Sequence, residues 1–446
     1  MNGSETNYLI RYRKEAPMNM STDVNWLENV RSLTLDRQEE PQWLRNWRLS
    51  FLDNLSDYAW PKRQKTPLRE RQLDQIPLTE EFRDTSVPLA DLHSIESPLH
   101  VVFANDRVVE QGVSPEAQER GLVILSLRQA ATQYELDLKE WLGQIVSAPL
   151  NKAEALNAGL WDHGLFIKVP DGVDIQDPLL VLHYGHFDNE VTSLFPRTLI
   201  IAGINSRITV IERYISNDFE GKSLFSNVVE IMAKEGAQVH YGSVQNLSNH
   251  TEVFVTRSAV VNKDAHVDWN IGEFGGNVTI ARDHTRLAEA GAQSAHTMVF
   301  FGSGHQRQDF DTEIIHGAPY STSRITAKGV MKDKGRSAFH GITNIEHGAV
   351  RSDGRQKEQT LMLSDQSRAD AVPSLLINDN DVYAAHSASA GPIDQLALFY
   401  LMARGLSEEE ATRLYVHGFL APVVDAIPGL ILRNSVWESV ERKLRA

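Results

Sequence analysis

The chain has 446 residues, 41% of them hydrophobic, and a formal charge of −15 at pH 7. This balance supports a sizeable core and argues against nucleic acid as the main ligand, because phosphate binding needs a basic surface. No stretch reaches the roughly 18 consecutive apolar residues of a membrane span. The lack of any cysteine excludes disulfides, thiolate nucleophiles and Cys-ligated zinc or iron–sulfur sites held by this chain alone.

The N-terminus, MNGSETNYLIRYRKEAPMNMS, has no apolar core of the signal-peptide kind, so a cytoplasmic location is expected. Residues 1–40 read as a loosely ordered arm with a short helix near Trp26–Leu35. In EPQWLRNWRLSFLDNLSDYAWP, Pro41 suits a first helical turn, and Trp43, Trp47, Phe51 and Leu55 recur every four residues as one apolar stripe up to Pro61. Residues 62–91 are charged and proline-punctuated, a loop-rich connection. HVVFANDRVVEQG predicts a hairpin turning at Ala104–Asp106. The stretches SPEAQERGLVILSLRQAATQYELDLKEWLG and KAEALNAGLWDHG complete a mostly helical region over 1–160.

From Leu165 the apolar period changes from 3.6 to 2, and strand-like runs follow one another between turn residues. EGAQVHY, KDAHVDW and AGAQSAH align by eye, with Ala237, Ala265 and Ala292 roughly 27–28 residues apart. Val239 and Tyr241 take the places of Val267 and Trp269, while the third copy carries Ser294 and His296. The spacing predicts a parallel β-helix over 161–390, a mainly β solenoid of about eight turns with three short strands per turn. After Pro392 the pattern is helical over 391–446. Asp394 is an N-cap, Gly405 a left-handed C-terminal residue, and Ser407 with Glu410 a capping box.

Catalytic motifs are lacking: no phosphate loop, no G-x-G-x-x-G after a strand, no H-E-x-x-H and no G-x-S-x-G. GSGHQ at 302–306 opens no helix, so it is not read as a phosphate cradle. Asp309 and Asp311 share a strand face and are read as solvent-facing turn aspartates. Their functional alternative is the carboxylate pair of a β-helical polysaccharide lyase or hydrolase, which needs a groove lined by aromatics. His183 and His186, three apart, point to opposite strand faces and chelate poorly. His386, in VYAAHSASAG, is set among small residues that leave its imidazole clear on the last turn.

With FDTEIIHGAPYSTSRITAKGVMKDKGRSAFHGITNIEHGA, QTLMLSDQSRADAVPSLLI, NDVYAAHSASAGPID and FYLMARGLS, the chain resembles the SufB/SufD family, the scaffold pair of the SUF iron–sulfur cluster assembly system. The likeness is strong over about 160–446 and extends to the EPQWLRNWRLSFL helix. Within the family it resembles the SufD-type subunit, having no cysteine and Ser387 after the histidine where SufB has H-E-A. Some relatives carry Cys where this chain has Ala384, and many carry Glu where it has Leu376.

The resemblance implies a right-handed parallel β-helix between helical regions and a non-catalytic scaffold role. It implies a SufB-like partner joined through the solenoid ends and a SufC-like ABC ATPase docked on the C-terminal helices. His386 would be the metal ligand at the partner interface, meeting transient iron or an iron–sulfur cluster beside thiolate and carboxylate donors from SufB. No cofactor is expected to bind the chain alone. Reduced flavin is associated with such complexes, although no flavin motif is present, and a homodimer of the isolated chain stays open. Truncation after about Gly405 is expected to abolish ATPase docking and leave the solenoid folded.

Overall fold

The computed structural model describes residues 31–32, 40–79, 85–88, 97–146, 149–161 and 163–445. The expected helix near Trp26–Leu35 lies outside the described residues, apart from Arg31 and Ser32. The fold is mainly β, a parallel solenoid of about eight turns with helices at both ends. Each turn gives a strand to each of two sheets, one 10-stranded and one 11-stranded. The predicted triplet of short strands is therefore corrected to two long ones. Gln293–Gly302, Arg307–His316, Thr322–Met331 and Arg336–Ile345 each run ten residues. Polar residues inside these runs looked like breaks, yet the ladder bonds join backbones above and below whatever the side chain is.

The repeat seen in the sequence is a physical stack. Val239 pairs with Val267, Tyr241 with Trp269, and these continue onto Ser294 and His296 in unbroken parallel register. The corner before each of these strands requires a positive φ, held by Asn205, Gly236, Asp264 and Gly291 in successive turns. Asx and Gly alternate there for a steric reason. A Cβ on Gly236 would lie 2.1 Å from Oδ1 of Asn205, and one on Gly291 would lie 2.1 Å from Oδ1 of Asp264. An Asx side chain leans over the next corner, and only glycine leaves it room.

Three apolar layers hold the molecule. The lumen holds Val239, Tyr241, Val267, Trp269, Met298, Phe300, Phe310 and Phe339. Outside the 11-stranded sheet, Phe166, Leu199, Leu224, Phe254 and Ile280 pack under helices α1 (Gln42–Leu52), α3 (Leu127–Gln133), α4 (Glu135–Trp141) and α5 (Lys152–Leu160) or the chain between them, while Ala117 of α2 (Pro115–Glu119) belongs to the lumen cluster. The α1 stripe differs from the expected one. Leu44, Arg48 and Leu52 are buried, while Trp43 and Trp47 pack partly buried beside them. Arg48 explains the shift, because its guanidinium lies 3.6 Å from the Trp161 ring, pairs with Glu40 and donates to the Gly159 and Trp161 carbonyls.

Outside the 10-stranded sheet, Ile211, Val244, Phe274, Val299, Phe301 and Val330 pack against α6 (Gln395–Met402), α7 (Glu408–Val424) and α8 (Leu430–Arg445). The caps are as expected: Asp394 accepts from the Leu396 and Ala397 amides, and Ser407 with Glu410 closes a capping box. The C-terminal helices, expected to pack on the solenoid end or on a partner, pack on the outer face of the 10-stranded sheet. Leu420, Leu432, Val436 and Val440 cover the sheet, so truncation after Gly405 would bare its outer face.

The two ends of the solenoid differ. At the N-terminal end the hairpin His100–Ala104/Arg107–Gly112 closes one sheet, turning at Asn105 as expected, and antiparallel Val123–Ser126 closes the other. At the C-terminal end no antiparallel strand caps either sheet among the described residues.

Candidate functional site

The uncapped end is built by the last strand, Tyr383–Pro392, lying on Asp353–Met362 in parallel register. Its other edge is unpaired among the described residues. On Asp353–Met362 the alternate residues Gly354, Gln356, Glu358 and Thr360 are buried, in register with lumen-facing Ser323, Ile325, Ala327 and Gly329 of the turn below. Parallel in-register residues share a face. Ala384, His386, Ala388 and Ala390, opposite those four, therefore form the lumen-side row of the final strand. His386 is exposed there, and no described residue holds its ring by a hydrogen bond or ion pair. The alanines around it leave the polar row beneath nearly uncovered by side chains.

That lower row is unusual for a protein interior. Glu358 is 7% exposed, and burial with no compensating partner lifts its carboxyl to about 8. Gln356 donates to Thr343 Oγ1 at 2.7 Å and to the Ser374 carbonyl, but its Oε1 has no partner, and neither has Thr360 Oγ1. An apolar fringe surrounds this end. Val372, Leu376, Ile377 and Tyr383 are exposed, Tyr383 by 74%. Leu376 is in register with Asn344 on the outer face of the other sheet.

The remaining sequence candidates lie elsewhere. Asp309 and Asp311 are not turn residues. They sit mid-strand on the outer face of the 11-stranded sheet, under the segment that follows Pro61. Arg63 lies 2.9 Å from Asp311 and 3.6 Å from Asp309, and Asp309 is fully buried, its carboxyl raised by that burial. They do not flank an open groove, which removes the structural basis for a glycoside-cleaving pair. GSGHQ is a corner, where Ser303 and Gln306 accept from Lys443 of α8 at 3.2 and 2.5 Å.

His183 is buried in a lumen cluster, 3.3 Å from both His163 and Glu212, whereas His186 lies beyond the strand end. Burial tends to raise Glu212, but hydrogen bonds from His183, Tyr214 and Tyr241 bring it below the usual range. A second lumen cluster joins Arg257 to Glu273 and, at 2.9 Å, to Asp283, which meets His296 at 2.9 Å. Sequence reasoning missed both clusters and Glu358. In RQKEQT every residue is polar, so alternation cannot tell lumen from solvent, and only the register of stacked strands can.

Among the described residues, no group of three or more His, Cys, Asp or Glu is arranged to hold a metal ion. His386 and Glu358 lie on one face of the last two strands of their sheet. No described helix is long and apolar enough to cross a membrane.

Comparison with known proteins agrees with the architecture. Residues 186–419 match the family described as SUF system FeS cluster assembly, SufBD core domain, and residues 78–181 match the SufBD protein N-terminal region. The chain is 34% identical over 438 residues to the iron–sulfur cluster assembly protein SufD of Bacillus subtilis, covering 96% of this chain and 99% of that one. It is 28% identical to an iron–sulfur cluster assembly SufBD family protein of Staphylococcus saprophyticus, covering 95% and 94%. A Staphylococcus aureus member is 29% identical over 92% of this chain and 88% of its own length. The sequence, matched along nearly its whole length, places this chain in the SufBD family.

Proposed function

We propose that the chain is a non-catalytic scaffold subunit of a SUF iron–sulfur cluster assembly complex, pairing through its uncapped solenoid end with a cysteine-bearing, SufB-like scaffold. The observation that carries this reading is the asymmetry of the two ends. The N-terminal end is closed by antiparallel strands, whereas the C-terminal end leaves the Tyr383–Pro392 edge and an apolar fringe open. An exposed flat edge invites another strand and calls for cover.

Iron or a nascent cluster is the cargo of this interface. His386 offers one imidazole, and thiolate and carboxylate donors come from the partner, a mixed set that suits iron. The SufC-like ATPase docks on the C-terminal helices, where Leu396 and Phe399 of α6 are 75% and 68% exposed, with Tyr400 and Met402 nearby. Dimerisation of two such ATPases would move the subunits as rigid bodies and open the iron site.

Co-expression with a SufB-like scaffold and a SufC-like ATPase, followed by native purification, tests the reading. A stable three-protein complex is expected, and His386→Ala should keep it assembled while lowering its iron content severalfold. Recovery of the chain without either companion would refute the scaffold role, and unchanged iron would remove His386 from the ligand set.

A further inference from the structure

Beneath the His386 row, three consecutive lumen-facing side chains of Asp353–Met362 carry polar groups that the protein leaves unsatisfied. Gln356 Oε1 and Thr360 Oγ1 are buried without partners, and Glu358 between them meets no cation. The two lysines close to it in the fold do not help. Lys357 is the next residue, so it points out of the lumen, and Lys328 lies on the outer face, donating to the Phe419 carbonyl of α7. Burial without a counter-charge makes such a group hold its proton, and a cation brought to it would take the proton's place.

The surroundings give room for such a species. Below Glu358 in register stands Ala327 and above it Ala388, whereas the space over Gly329, below Thr360, is filled by the Phe300 ring. His386 and Glu358 sit on adjacent strands, on one face and two residues apart in register. Strand spacing and rise put their Cα atoms roughly 8 Å apart, close enough for both side chains to reach one ion.

We propose that Glu358 is a cation-binding carboxylate: with Gln356 Oε1 and Thr360 Oγ1 beside it, it forms an oxygen-donor floor at the open end, where it binds the same divalent first-row cation that His386 meets at the rim. The proposal rests on the reading of this end as the partner-facing iron site. It assigns this subunit two donors of different kinds, a carboxylate inside the lumen and an imidazole at its mouth. Carboxylate and amide oxygens favour ferrous iron or manganese over softer ions, whereas thiolates supplied from elsewhere hold a finished cluster. The floor therefore receives the metal before sulfur is added.

The test compares wild-type, Glu358→Gln, Glu358→Asp and His386→Ala chains in the co-purified complex. Iron per complex and Co²⁺ affinity by equilibrium dialysis are the readouts. Glu358→Gln keeps shape and removes charge, and it is expected to weaken Co²⁺ binding at least tenfold and to at least halve bound iron. Glu358→Asp should recover part of both. Wild-type iron and Co²⁺ affinity in Glu358→Gln overturn the proposal; if His386→Ala still loses iron, the rim reading survives alone. Loss in Glu358→Gln with none in His386→Ala keeps the floor and discards the rim. If Glu358→Gln prevents assembly, the residue serves docking and the metal proposal falls.

Discussion

At the residue scale, the lumen carries buried, paired charges. Arg257 holds Glu273 and Asp283 together. Burial acts first on all three, yet the two carboxylates push Arg257 above its usual range. Arg257 and the His296 hydrogen bond bring Asp283 below its own, while burial still leaves Glu273 raised. Arg257→Ala strands the buried Glu273 carboxylate and leaves Asp283 with His296 alone, and should cost about 3–5 kcal/mol, read as a fall in the urea midpoint. Glu358 has the opposite sign. Its folded-state pKa of about 8 lies above the ordinary 4.5, so the folded chain binds the proton more tightly than the unfolded one. Its favourable contribution is present below pH 4.5 and is lost as pH rises toward 8. In the isolated chain Glu358→Gln should therefore raise stability by about 1–3 kcal/mol at pH 8 and have little effect at pH 4.5. A midpoint unchanged at pH 8 would show that the carboxyl is not strained.

At the scale of elements, local signals were legible where they are chemically local. Asp394 and the Ser407–Glu410 capping box were readable because a cap involves residues two or three apart. Strand lengths were not, because the polar residues that interrupt apolar runs are satisfied across turns, as when Gln308 donates to the Glu273 carbonyl of the turn below. The role of α7 and α8 was likewise hidden, since a helix sequence shows that it has an apolar face but not what that face covers. Truncation after Gly405 is now expected to yield an aggregated or strongly destabilised chain, visible as loss of a cooperative thermal transition. Phe399→Ala with Leu396→Ala on α6 should leave the melting temperature within about 2 °C, because both are exposed, and weaken ATPase capture.

At the scale of the whole molecule, the solenoid is a one-dimensional stack in which each turn rests on its neighbours, so its ends carry the unmet interactions. At the N-terminal end the outermost strands are antiparallel, with their outer edges unpaired among the described residues, and at the C-terminal end the parallel edge strand is joined by the apolar fringe of Val372, Leu376, Ile377 and Tyr383. Without its partner, the chain should self-associate through this end. Tyr383→Lys places a charge on the open edge strand and should shift sedimentation toward monomer at micromolar concentration while leaving the far-UV spectrum unchanged. A monomeric wild-type chain at the same concentration would show that the fringe needs no cover.

By itself the sequence determined the repeat, the change from helical to strand periodicity, the caps, the lack of thiolate ligands and His386 on the last turn, because composition and short spacings carry all of these. The tertiary structure decided which polar residues face the lumen, which end stays open and that Glu358 lies one strand below His386. Those facts depend on register between strands about 30 residues apart, and the repeat that shows this register in the earlier turns is not visible in the sequence of the last ones.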